Sequence, residues 1–306
     1  LSAPPDRELI EAIAADLGVD PSFVEKDWHA MRLVAVVAGV TEADITPVFS
    51  GGTSLSKGYG LIQRFSEDLD FKTKLPDGGL KRSGRQTYRG RVIKAIRQEG
   101  SWSVPDEGIE SRNESRFFTC RIDYTPAFEP TAALRPHVKL EMTFTPPALD
   151  TETRPVQSFV AQARDTGPEV GGIACVSPAE TAADKLSALT WRVLTRERGS
   201  ARDDPTLIRH LHDLAALEGQ ALAEPGFPGL LRNLLDQDAR RGAPPAELTE
   251  MSGSDRVEAA LDRLAADPEY AGEYQSFVMG MSYAATPDIP SFEQALEAAH
   301  RLRGTL

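Results

Sequence analysis

The chain has 306 residues, 41% hydrophobic and 26% charged, the balance of an ordinary folded protein long enough for two domains. Its formal net charge of −12 argues against indiscriminate nucleic-acid binding and against DNA binding of its own, while a segregated basic face stays compatible with RNA. No apolar run approaches the roughly 18 residues of a membrane span, and Cys120 and Cys175, without metal-like spacing, suit a reducing compartment, so a cytoplasmic location is expected.

The opening LSAPPDRELIEAIAADLG is acidic and amphipathic, unlike a signal peptide. Pro4 and Pro5 introduce a first helix over 6–17, closed by Gly18. Asp20 caps a second, with Pro21 in its first turn, running to about Ala38 before Gly39. Phe23, Trp28, Met31, Val34 and Val37 approximate helical spacing and read as its packed face; Lys26 and Asp27 receive no chemistry.

A strand-like run (Ile45, Val48, Phe49) then meets a glycine pair and opens the stretch SGGTSLSKGYGLIQRFSEDLDF, residues 50–71. Gly51 and Gly52 permit a sharp turn and close approach to a ligand. Thr53 and Ser54 are placed to cap a helix that Leu55, Lys57, Tyr59 and Ile62 continue. Free N–H groups after such a turn suit a phosphate, which makes Gly51, Gly52, Thr53, Ser54 and Lys57 candidate nucleotide contacts. The spacing is not that of a Walker A loop. In Ser66-Glu67-Asp68-Leu69-Asp70-Phe71, a strand would turn Asp68 and Asp70 to one face and Leu69 and Phe71 to the core. Adjacent carboxylates repel unless a cation lies between them, and Mg²⁺ takes a few carboxylates plus substrate phosphates and water. A solvent-facing edge strand is the plain reading of a lone Asp-x-Asp; the turn upstream favours the site.

The run GGTSLSKGYGLIQRFSEDLDF resembles nucleotidyltransferases of the AbiEii/AbiGii toxin family, which includes the MenT-type toxins. FVEKDWHAMRLV (23–34) and ETAADKLSALTWRVL (180–194) agree in order. The resemblance implies a polymerase-beta-like nucleotidyltransferase fold of the α/β (α+β) class, with a mixed sheet and a C-terminal helical domain, here taken as 1–176 and 177–306. It implies an NTP substrate, Mg²⁺ or Mn²⁺ at Asp68 and Asp70, and NMP transfer to RNA, above all tRNA acceptor ends. It also implies a cognate antitoxin within a toxin–antitoxin or phage-defence system. Ser66 aligns with a serine that matters in the family, as a nucleotide contact or a modification site; helix termination is its plain alternative.

After the turn Pro76-Asp77-Gly78-Gly79 come Lys81, Arg82, Arg85, Arg89, Arg91, Lys94 and Arg97, with no acid before Glu99. Tyr88, Val92 and Ile96 recur at helical spacing, so one side packs and the other is basic. Solvated surface and polyanion contact are evenly matched readings; as RNA contacts the candidates are Arg82, Arg85, Arg89 and Lys94. RFFTCRIDY (116–124) and HVKLEMTF (137–144) alternate as strands. A third carboxylate on a neighbouring strand is common in this fold, and Glu141 is preferred to Asp123 because Lys139 beside it suits a phosphate-facing surface. Residues 159–163 and 172–176 are expected to complete the sheet.

From Ser177 the pattern turns helical, with Ser177-Pro178-Ala179-Glu180 as cap, proline and early acid. Leu186, Leu189 and Val193 form its packed stripe. A helical lysine is ordinarily solvated, but Lys185 matches the lysine of the toxin motif, and the resemblance implies contact with nucleotide phosphates. The family's Arg-Asp-x-x-Asp-Leu element aligns with Arg209-His210-Leu211-His212-Asp213-Leu214. His210 replaces the first acid, so only Asp213 carries over, and metal binding or orientation of Lys185 and Arg209 stay open as its role. His210 and His212 share no helical face and read as surface or packing residues. Helices are expected over 229–240, 254–266, 270–283 and 291–303, with a break at 242–245 and a packed stripe of Tyr270, Tyr274, Phe277, Met281 and Tyr283. Two rival functions stand: NMP transfer to a protein or small molecule, and a non-catalytic nucleotide-sensing module, against which the intact Asp68/Asp70 pair speaks.

Overall fold

A computed structural model describes residues 4–42, 44–131, 134–201, 203–240 and 246–306. The chain divides into two compact units, Leu1–Val176 and Ser177–Leu306.

In the first unit, the Asp6 carboxylate accepts from the Leu9 N–H and Gly18 adopts the left-handed conformation, which bounds α1 (Arg7–Leu17). Asp20 and Pro21 start α2 (Pro21–Ala38). Every residue of α2 from Ser22 to Val34 is buried, including Glu25, Lys26, Asp27, His29 and Arg32. The sequence suggested one packed face; instead this helix must give each buried charge a partner.

The chain continues through β1 (Thr46–Ser50), α3 (Gly51–Lys57), β2 (Asp68–Lys74) and α4 (Arg82–Glu99). It then forms β3 (Ile109–Arg112), β4 (Phe117–Asp123), β5 (His137–Thr143), β6 (Glu152–Val156), α5 (Phe159–Arg164) and β7 (Val170–Cys175). The strands make one mixed sheet in the order β3-β4-β5-β2-β1-β7-β6. β2 and β5 are parallel, as are β1 and β7; the other neighbours are antiparallel. The core joins Phe49, Leu69, Phe71, Phe118, Leu140 and Met142 of the sheet to Tyr88, Val92 and Ile96 of α4 and to Met31 and Val34 of α2. Each such large side chain contributes about 1.5–3 kcal/mol by leaving water.

Two local expectations need correction, and one strand has no clear sequence signal. α3 ends at Lys57, so Tyr59 and Ile62 lie outside it, where Gly58 and the positive φ of Gly60 turn the chain away. Residues 159–163 form a helix, not a strand, because Ser158 accepts from the Ala161 N–H as an N-cap, overriding the β-preference of Phe159 and Val160. β6 lacks a strand signature because Pro155 interrupts it; the ladder accommodates the proline by a register shift between Arg154 and Val156.

The second unit is helical: α6 (Pro178–Leu194), α7 (Arg209–Ala223), α8 (Phe227–Asp238), α9 (Ala246–Glu250), α10 (Gly253–Ala266), α11 (Pro268–Met281) and α12 (Phe292–Arg303). Ser177 caps α6, and Ser291 with Gln294 forms a reciprocal capping box on α12. α6 packs on α7, α8 and α10, and α7 on α12. Tyr270 and Tyr274 are buried as expected, while Phe277, Met281 and Tyr283 are only partly covered. The expected break at 242–245 lies outside the described residues. Among the described residues no helix is long and apolar enough to cross a membrane.

Candidate active site

Sheet register builds the site. β2 pairs with β5 so that Asp68 lies opposite Lys139 and Asp70 opposite Glu141. β1 sets Ser50 beside Asp70, and β4 sets Thr119 beside Glu141. Partners in a ladder face the same way, so Asp68, Asp70 and Glu141 share one face, all partly exposed, while Leu69 and Phe71 are buried on the other. Asp123 sits opposite His137, past the end of the β2 pairing, and is bonded to Arg121 at 3.1 Å. Glu141 is therefore the carboxylate next to Asp70.

The row's negative charge is countered locally. Arg135 Nη2 lies 2.8 Å from Asp68 Oδ1, and the Lys139 ammonium contacts the Glu141 carboxylate. Arg135 was not a sequence candidate; it lies in the loop before β5 and no periodicity marks it.

The glycine pair allows α3 to sit directly on this row. At Gly51, φ is +72°, and a Cβ there would lie 2.0 Å from Asp70 Oδ2 and 2.9 Å from Asp70 Cβ. At Gly52 a Cβ would meet Arg64 Nη2 and Ser66 Oγ, each at 2.9 Å, which brings Ser66 to the edge of the site. Thr53 and Ser54 do not cap the helix. Thr53 Oγ1 donates to the Asp68 carbonyl at 2.7 Å, tying α3 to β2, and Ser54 is buried. Lys57 is buried too, its ammonium 2.7 Å from Asp27 Oδ1 and 3.2 Å from the Phe159 ring centroid. The side chains of Thr53, Ser54 and Lys57 thus face inward, contrary to their expected part as ligand contacts, because two-turn α3 packs against β1 and β2. Gly51 lies against Asp70, and Gly52 against Arg64 and Ser66.

α2 supports the row from below. Lys26 Nζ is 2.6 Å from Glu67 Oε1 and donates to the Arg135 carbonyl at 2.9 Å. Glu67 also accepts from the Arg135 N–H at 2.6 Å and from Arg135 Nε at 3.3 Å. Burial raises the Glu67 carboxyl, but Lys26 and the Arg135 donors outweigh it and hold it below the usual range. Asp27 accepts from the Phe159 N–H at 2.8 Å as well as pairing with Lys57; burial pushes its carboxyl up against the pull of that ammonium. Glu25 accepts from the Ala127 and Phe128 N–H groups, and Arg32 pairs with Glu99. His29 accepts from Trp102 Nε1 at 3.1 Å, and burial first, then Arg32, depress its pKa to about 3. The signal available in the sequence was the density of charge within FVEKDWHAMRLV, a segment whose apolar spacing already marked a packed helix.

The basic helix is smaller than its composition suggested. Arg85 is buried, donating to the Leu80 and Glu114 carbonyls, which contradicts its candidacy as an RNA contact; it follows the packed stripe of Tyr88 and Val92 inward. Arg91 pairs with Glu42 at 2.8 Å and Arg97 with Asp106 at 2.6 Å. Lys81, Arg82 and Lys94 remain exposed, with Arg89 half-buried.

Within the helical unit, Lys185 on α6 is buried, not solvated, and its ammonium lies 2.7 Å from Asp213 Oδ2 on α7. Asp213 has no exposed surface and also meets His212 Nδ1 at 3.3 Å. Arg209 turns to Asp204 instead. His210 is a buried packing residue, and burial holds its imidazole well below the ordinary pKa.

Among the described residues no three His, Cys, Asp or Glu side chains form a ready-made metal cage. Asp68 and Asp70 nonetheless offer hard oxygen donors on one face beside a backbone kept open by Gly51, which fits a cation completed by substrate oxygens and water.

No curated protein sequence matches the chain. The solved structure of MenT4, a nucleotidyltransferase toxin from Mycobacterium tuberculosis H37Rv, is similar in fold, with a TM-score of 0.51 at 20% identity over 96% of this chain and 98% of that chain. The family model described as the AbiEii nucleotidyltransferase toxin of type IV toxin–antitoxin systems matches residues 37–298. That match spans the carboxylate row as well as most of the helical unit, and the chain belongs to the AbiEii family of nucleotidyltransferase toxins.

Proposed function

We propose that this chain transfers the NMP group of an NTP to a hydroxyl of RNA, the acceptor end of tRNA, releasing pyrophosphate with the help of Mg²⁺ or Mn²⁺. The observation that carries the reading is the seating of Gly51 on Asp70 beside Asp68, with Glu141 in register as the third carboxylate. Asp68 and Asp70 would hold the cation, which when bound withdraws charge from the phosphates and the leaving pyrophosphate. The main chain at Gly51 and Gly52 admits the phosphates closely, and Ser66 Oγ borders them. Thr53 keeps Asp68 in place by holding its carbonyl. The acceptor oxygen bonds to the α-phosphorus as the bond to the oxygen of the leaving pyrophosphate breaks and the hydroxyl proton is released to water, so positioning supplies most of the catalysis. By resemblance alone, Lys185, oriented by Asp213, is the lysine that neutralises phosphate charge.

Lys81, Arg82, Arg89 and Lys94 supply the face for the RNA backbone, which Arg85 does not join. The activity belongs to the cytoplasm, where NTPs and tRNA are found, and a cognate antitoxin restrains it in a toxin–antitoxin or phage-defence setting.

The test is a labelling assay with purified protein, Mg²⁺ and each α-³²P-labelled NTP, against total RNA and, separately, a protein extract. Label in tRNA-sized RNA from wild type, absent with Asp68→Ala/Asp70→Ala, supports the proposal. Label in protein alone replaces the acceptor class, and no label in either overturns the reading.

A further inference from the structure

Asp68 is not held by its own strand alone. Its Oδ1 accepts from Arg135 Nη2 at 2.8 Å, while Arg135 Nε reaches the neighbouring Glu67 Oε2 at 3.3 Å. One guanidinium therefore bridges two consecutive carboxylates in a geometry suited to its fork of donors. The main chain of Arg135 is clamped on both sides. Its N–H donates to Glu67 Oε1 at 2.6 Å, and its carbonyl accepts from Lys26 Nζ at 2.9 Å. Lys26 comes from buried α2 and Glu67 is mostly buried, whereas the Arg135 side chain keeps 38% of its surface exposed. The base of this arginine is fixed and its head is at the surface.

A guanidinium is a permanent cation. At Asp68 it relieves the repulsion within a row that also carries Asp70 and Glu141, and it occupies a carboxylate oxygen that a divalent cation needs. Both cations cannot keep the same oxygen at full contact, since they repel one another at this range. On the reading that Asp68 and Asp70 hold the catalytic cation, we infer that Arg135 is a positioning residue: a resident counter-cation that aligns Asp68 in the nucleotide-free protein and cedes it when the divalent cation arrives. Lys26 and Glu67 hold the loop in place through the exchange, so the guanidinium moves without the backbone. Lys139 meets Glu141.

The inference is tested without turnover, by titrating the nucleotide-free full chain with Mn²⁺ and reading free Mn²⁺ by electron paramagnetic resonance. Arg135→Gln is expected to bind Mn²⁺ about tenfold tighter than wild type, because a competing charge is gone at a partly screened site. Arg135→Lys, which keeps the charge but not the fork, is expected to fall between wild type and Arg135→Gln, and Asp68→Asn loses the binding. A residue that merely braced the loop would leave affinity unchanged or lower when removed, and that outcome in Arg135→Gln overturns the inference. Should Arg135→Gln fold poorly, the wild-type Arg135 Nε–Hε nuclear magnetic resonance signal, identified by its loss in Arg135→Lys, gives a second readout. It is expected to shift as Mg²⁺ fills the site; a signal unmoved at saturation overturns the inference. Absence of Asp68-dependent Mn²⁺ binding in wild type overturns the cation reading and this inference together, whereas Asp68-dependent binding unaltered in Arg135→Gln overturns this inference alone.

Discussion

Two regions of the first unit use the same chemistry to different ends. Around α2, Asp27 pairs with Lys57 of α3 out of solvent, and Arg32 meets Glu99 of α4 in equal burial. On the β2–β5 face, Asp68 meets Arg135 and Glu141 meets Lys139, but all four side chains keep a quarter or more of their surface. A buried pair is locked, since separating it strands a charge away from water. An accessible pair can exchange partners, because solvent and incoming ions take up either member. Removing a member of the first kind should therefore damage the fold, and removing one of the second kind should damage the chemistry.

The largest effect that would break this contrast concerns activity. Asp68→Ala/Asp70→Ala is expected to lower NMP transfer by about a thousandfold or more, with a thermal midpoint close to that of wild type because partly solvated pairs contribute little to stability. A large drop in the midpoint would put the row among the structural pairs. On the other side, Asp27→Ala should cost about 3–5 kcal/mol in urea denaturation by leaving Lys57 unpaired in the interior. The double variant Asp27→Leu/Lys57→Met should recover much of that; a double as unstable as the single would show that packing, not charge, sets the cost. Gly51→Ala lies between the two regions. Its left-handed φ and the overlap with Asp70 should cost about 2 kcal/mol of stability and displace the Asp70 carboxylate, so transfer falls even in molecules that fold.

The contrast is sharpened by pH. His29 is held neutral in the fold, with a pKa of about 3 against 6.5 when exposed. The unfolded chain takes up this proton first as pH falls, so the contribution of His29 to stability is complete above pH 6.5 and declines between about 6.5 and 3. The slope is about 1.4 kcal/mol per pH unit in mid-window. The pH slopes of the urea midpoints of wild type and His29→Gln should differ within that window and agree above it; equal slopes throughout would contradict a neutral, Trp102-bonded imidazole. The smallest effect is expected at the basic helix. Reversing Arg82, Arg89 and Lys94 to Glu should weaken RNA labelling about tenfold, most at low salt, and leave the urea midpoint in place, whereas Arg85→Glu should lower the midpoint.

Local signals were legible where a single residue does a local task. Asp20 and Ser177 cap helices at the positions their side chains foretell, and alternation at 68–71 places two carboxylates on one face of β2. Glu141 came to lie beside Asp70 through register, which alternation alone suggests but does not fix. What stayed illegible depends on partners distant in the chain. Arg85 looks like the other arginines of α4 until the Glu114 carbonyl is seen to receive it. Lys57 reads as a phosphate contact until Asp27 is found beneath it, and Arg135 reads as nothing until Glu67 and Asp68 are brought together. At 159–163, side-chain preference favoured a strand, and the hydroxyl of Ser158 decided otherwise.

The parallel pairing of β2 with β5 has a consequence for how the toxin comes into being. Parallel neighbours cannot be joined by a hairpin, and here the route between them passes through α4, β3 and β4 before Glu141 reaches Asp70. During synthesis, the segment bearing Asp68 and Asp70 leaves the ribosome long before its partner strand exists, and β1 waits longer still for β7. Pairing across such separations is slow to form. A nascent or truncated chain therefore carries the whole motif without the assembled row, and the producing cell meets a competent toxin only once the sheet has closed.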